Sequence, residues 1–123
     1  MMTQVVTPAQ IEARLYTLSK EIDEAHQMLV DTEREFHETT AYYEVDLARS
    51  RMTMASKSSP TGKNYTVGER EDMALIENAE SHFKIATIEA QVRAARANVQ
   101  RLKTQVEIAR SMSASVRNSM ELN

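Results

Sequence analysis

From Ala9 to Ser59, and again from Glu69 to Asn123, this chain contains neither proline nor glycine. Its only backbone breakers, Pro8, Pro60, Gly62 and Gly68, lie before the first stretch or between the two. A β fold needs frequent turns, and turns draw heavily on these two residue types. The pattern predicts an all-α chain of two long helices joined through "SSPTGKNYTVGERE", residues 58–71. At 123 residues it is expected to be a single helical domain.

Both helices carry start signals. Thr7-Pro8-Ala9-Gln10 places a capping threonine, a proline suited to the first helical position and a Gln that completes a capping box. Val6 and Ile11 stand at the spacing of a hydrophobic staple. Downstream, Ile11, Leu15, Leu18, Ile22, Ala25, Leu29, Thr32, Phe36, Thr39 and Tyr43 step by four and three, the signature of a heptad seam. The first helix is expected from about 8 to about 55. Thr66-Val67-Gly68-Glu69 is a second capping box, opening a helix from about 67 to about 118. Its seam reads Ile85, Ile88, Val92, Ala95, Val99, Leu102, Val106, Ala109, Ser113, Val116 and Met120. Leu75, Ile76, Ala79 and Phe83 are out of phase with it, which predicts a stutter.

Two such helices with a short connection, about 57–65, are expected to fold back as an antiparallel coiled-coil-like hairpin. A hairpin has one seam, and Met28, Val30, Val45, Met54, Met73, Leu75, Ile108 and Met112 lie off it. Exposed in a monomer, they argue for a homo-oligomer.

The connection contains Gly62-Lys63, the core pair of a phosphate-binding P-loop. That loop needs glycine five residues before Gly62 and Ser or Thr after the lysine; Lys57 and Asn64 stand there instead, and no strand precedes them. The segment is a hinge. No catalytic constellation appears elsewhere. His26, His37 and His82 are scattered, Asp23-x-x-His26 is a lone half of a di-iron pattern, and the serine clusters lack a nucleophile motif. With no cysteine there is no disulfide frame or thiolate metal site. The chain is expected to be a non-enzyme without cofactor or metal. No apolar run approaches a membrane span and the N-terminus lacks a signal-peptide pattern, so a cytoplasmic location is expected.

A net charge of −3 hides a segregated field. Residues 1–47 hold three basic and ten acidic groups, whereas residues 48–63 hold Arg49, Arg51, Lys57 and Lys63 and no acid. Clusters of this kind bind phosphate backbones, with hydroxyls assisting. Tyr65 and Tyr43 are the aromatic candidates for stacking on a base. Complementing a helix dipole accounts for cations from Arg49 to Lys57 but not for Lys63. The candidate nucleic-acid-binding set is therefore Arg49, Arg51, Lys57, Lys63 and Tyr65. In the second helix Arg96, Lys103, Arg110 and Arg117 recur every seven residues beside the seam. They are expected to pair with acids of the first helix such as Glu12, Glu21 and Glu33, or in part to face outward from an oligomer.

At Leu47–Met52, "LARSRM", followed by the hinge and a long amphipathic helix, the chain resembles the UvsY-type recombination mediators of tailed phages. The family's basic-x-basic-apolar motif falls on Arg49, Ser50, Arg51 and Met52; the likeness spans roughly residues 30 to 120 in architecture and few residues in identity. Where the family has paired tyrosines after the motif, Met54 and Ala55 stand here, and the loop is basic where an acidic one occurs in the family. The resemblance implies a ring-like homo-oligomer that binds single-stranded DNA. It also implies partners: a RecA-type recombinase that it helps to load, and a single-strand-binding protein that is displaced. The rival expectation is a structural coiled-coil scaffold or assembly chaperone that binds no nucleic acid.

Overall fold

A computed structural model describes residues 6–57 and 59–122; Ser58, part of the expected hinge, lies outside them. The described residues are all-helical in class, with three helices of which two are long: α1 (Pro8–Ala55), α2 (Val67–Glu77) and α3 (Ala79–Leu122). Both start signals form as hydrogen bonds. Thr7 Oγ1 accepts from the Gln10 amide at 3.2 Å, and the Gln10 side chain accepts from the Thr7 amide at 3.0 Å. Thr66 and Glu69 repeat the arrangement, each bond 3.2 Å long. Each box satisfies two amides that the first turn of a helix otherwise leaves without partners.

Contacts divide the chain into two compact units, one made of the N-terminal part of α1 up to Val30 with α3 from Arg93 onward, the other of Asp31–Val92. In the first unit Leu18 and Ala25 of α1 pack with Val99, Leu102 and Ala109 of α3, flanked by Leu15, Ile22, Leu29 and Val106. Leu18 is fully buried. Arg14 donates to Gln105 Oε1 at 2.9 Å and holds Glu21 at 3.7 Å. The heptad seam is the buried side of α1, since its ten members are buried or half-buried from Ile11 to Tyr43. The α3 seam is likewise covered from Ile85 to Val116. Met120, read as its last member, is instead 63% exposed, because it lies beside Val6 and Pro8, where α1 only begins.

The second unit departs from the reading in one place. The helix expected to run unbroken from 67 is divided at Asn78, whose φ of −106° and ψ of 22° leave the helical region. The Asn78 side-chain amide donates to the Ala74 carbonyl at 2.8 Å and to Ser50 Oγ at 2.9 Å. Short polar side chains that bond nearby backbone compete with the helical ladder, and Asn78 does so here with a second acceptor on α1. The break sets which residues turn inward. Ala74 is buried and Met73, Asn78 and Ser81 are half-buried, whereas Leu75, Ile76 and Phe83 are exposed. Met54, expected to be exposed off the seam, is buried, because the inner face of α1 continues past Tyr43 through Ser50 to Met54. Met73 is half-buried; the other six off-seam residues are exposed.

Candidate nucleic-acid interface

The candidate interface lies at the end of α1. A helix turns about 100° per residue, so of three consecutive residues the outer two flank the middle one. Ser50 is the middle residue of Arg49-Ser50-Arg51 and the one buried polar residue among those described, 8% exposed, held by the Asn78 amide. With Ser50 turned inward, Arg49 and Arg51 emerge on its two sides, and both are exposed. The hydroxyls nearby are spent on the backbone: Thr53 donates to the Arg49 carbonyl at 2.9 Å and Ser56 to the Thr53 carbonyl at 2.8 Å.

After Ala55 the chain leaves the helix through a tight loop. The Lys57 amide donates to the Met54 carbonyl at 3.2 Å, and Gly62 and Ser59 are joined by an amide-to-carbonyl bond of 2.9 Å. The Ser59 amide in turn donates to the Lys63 carbonyl at 2.9 Å, and the Ser59 and Thr61 hydroxyls lie 2.8 Å apart. Gly62 has a φ of +80°, where a β-carbon would be strained, which explains glycine at this position. The loop thereby presents Lys57 and Lys63, both exposed, while Tyr65 is half-buried just before the Thr66 cap.

Arg49, Arg51, Lys57 and Lys63 form no ion pair with a described carboxylate. The aromatic candidates differ more. Tyr43 is half-buried and its hydroxyl meets His82 Nδ1 at 3.2 Å, with the rings 6.0 Å apart. That position makes it a packing residue within the unit. Its neighbour Tyr42 is 74% exposed. Sequence reasoning passed over Tyr42 because it lies off the seam, although it stands seven residues before Arg49 and so shares its side of the helix.

The basic column of α3 is exposed at Arg96, Lys103, Arg110 and Arg117. Among the described residues, Lys103, Arg110 and Arg117 form no ion pair with Glu12, Glu21 or Glu33, and Glu21 is engaged by Arg14. Arg110 lines a groove with Leu15, Ser19, Ile22, Asp23 and Val106. No described group of three or more His, Asp or Glu residues is placed to hold a metal ion. Among the described residues, no helix is long and apolar enough to cross a membrane.

Among known proteins, no family model, no curated protein and no solved structure matches the chain.

Proposed function

We propose that this chain is a self-associating, single-stranded DNA-binding protein acting as a recombination mediator. The observation that carries the reading is the set of four exposed cations, Arg49, Arg51, Lys57 and Lys63, free of described carboxylate partners in a segment without a single acid. Exposed cations in a field of one sign attract phosphates and release counterions on contact. The mediator role, with a RecA-type recombinase and a single-strand-binding protein as partners, rests on the resemblance at Leu47–Met52.

The supporting architecture is an antiparallel helix pairing within each unit. In the first unit Arg14 reaches Gln105, while Thr7 and Pro8 share a cavity with Ser115 and Ser119 further along α3. In the second, Tyr43 meets His82 and the later Ser50 meets the earlier Asn78. Self-association is supported by Met28 at 63%, Val30 at 49%, Ile108 at 55% and Met112 at 41% exposure, large apolar residues that a second copy would cover. A ring repeats the basic cluster on each protomer, so weak individual contacts gain by multivalency when one strand reaches several.

The test is a single-stranded DNA titration by fluorescence anisotropy at two salt concentrations. Affinity is expected to fall with a log–log slope of about −0.7 per phosphate contacted. Changing Arg49→Ala and Arg51→Ala together is expected to weaken binding and flatten that slope, with helicity and oligomer size unchanged. If the wild type fails to bind a long oligonucleotide at about 50 mM salt, where such contacts are strong, the scaffold reading replaces this one.

A further inference from the structure

Beside the proposed phosphate contacts, α1 carries an exposed face that neither the seam nor the basic cluster explains. Tyr42 is 74% exposed, Val45 48% and Met52 75%, and Arg49 is exposed among them. At about 100° per residue these four positions fall within an arc of about 80° and extend over about 15 Å of helix. Ser50, anchored inward by Asn78, holds this arc outward and puts Arg51 on the other flank. The four residues thus make one strip in which an aromatic ring, a guanidinium and two flexible or branched apolar side chains follow one another.

We infer that this strip is a nucleobase-binding track, with Tyr42 as its stacking residue and Arg49 as the phosphate contact that aligns the strand. The inference rests on the single-stranded DNA reading and deepens it. A tyrosine exposed to about three-quarters of its surface is open to a base, and such stacking tolerates every sequence. Met52 and Val45 supply apolar surface on either side of Arg49, suited to the faces of unstacked bases rather than to phosphates. Charge sets the direction. Residues 48–63 hold cations only, whereas Glu35 and Glu38 stand on the same side of α1 before Tyr42 and the half-buried Asp46 borders the arc on its Tyr42 side. A strand entering from the basic connection therefore runs along α1 past Arg49 and stops at Tyr42, where further phosphates would meet carboxylates. The track also assigns stacking to Tyr42 in place of Tyr43, whose hydroxyl is engaged by His82.

The test compares wild type, Tyr42→Ala and Tyr42→Phe on two labelled probes of equal length, an oligothymidylate and an abasic oligodeoxynucleotide that keeps the phosphates and lacks the bases. Stacking on one aromatic contributes enough that Tyr42→Ala is expected to bind the oligothymidylate on the order of ten- to a hundredfold more weakly. Tyr42→Phe is expected to bind like wild type. On the abasic probe all three proteins are expected to bind alike, with the same salt slope. The chain has no tryptophan, so quenching of tyrosine emission by the oligothymidylate is expected to be smaller in Tyr42→Phe than in wild type. Equal losses on both probes, no loss on either, or a changed oligomer size of Tyr42→Ala in sedimentation would overturn the inference; the last outcome makes the face a contact between copies. Wild type that binds neither probe removes the single-stranded DNA reading itself. Wild type that binds both equally leaves that reading standing and removes only the track.

Discussion

Replacing Asn78 with alanine removes the side chain that breaks the second helix and tethers it to α1. Its amide makes two bonds, 2.9 Å to Ser50 Oγ and 2.8 Å to the Ala74 carbonyl, both part-buried. Each such bond contributes about 1 kcal/mol net. The Ser50 hydroxyl, 8% exposed, is then left without the Asn78 donor, a loss of up to about 1 kcal/mol more because water reaches it poorly. Against this, alanine favours helix over asparagine by about 0.5 kcal/mol. Asn78→Ala is thus expected to destabilise the fold by about 2 kcal/mol. Ser50→Ala removes only one of the two bonds and also gains helix propensity, so its expected cost is under about 1 kcal/mol. The double change is expected to cost about 1 kcal/mol less than the sum of the singles, since the shared bond is lost only once. The assay is urea unfolding followed by circular dichroism, at one fixed protomer concentration so that self-association enters equally for every variant. Single changes that add within about 0.3 kcal/mol would refute the coupling. A neutral Asn78→Ala would show that the break is not held by this side chain.

Other expectations follow from the caps and the core. Thr66→Ala removes the acceptor of the Glu69 amide at 3.2 Å and is expected to cost about 1 kcal/mol, read as a lower denaturant midpoint at unchanged slope. Leu102→Asp places a carboxylate at a position 2% exposed, packed among Leu18, Ala25 and Val99. It is expected to cost several kcal/mol and to abolish the helical signal in circular dichroism, together with the proposed self-association in sedimentation.

Much of the architecture was legible because it depends on relations three or four residues apart. The Thr7–Gln10 and Thr66–Glu69 boxes, the extent of α1 and the inward-facing residues from Ile11 to Leu29 and from Ile88 to Ala109 all follow from local capping and periodicity. So did the basic cluster, since a run of residues without an acid is a property of composition and survives any fold. The α3 column was read less well. Its heptad spacing was plain, but whether Lys103 or Arg110 meets a carboxylate depends on what the facing helix offers at that level, and for Arg110 the groove holds Ser19 and Asp23 without an ion pair.

Only the tertiary structure decided the rest, and the reason is the same at each position. Asn78 has no local property that ends a helix as firmly as proline or glycine does; it breaks the second helix where Ser50, distant in sequence, gives its amide a second acceptor. Met54 appeared to be a surface residue until the inner face of α1 continued through Ser50 beneath it. Tyr42 and Tyr43 are adjacent and chemically identical, yet one meets His82 and the other faces solvent, because α1 is held at one rotation. Helix formation needs only neighbours along the chain, whereas the rotation of a helix about its own axis is set by what it packs against. That rotation determines which side chains of α1 remain exposed.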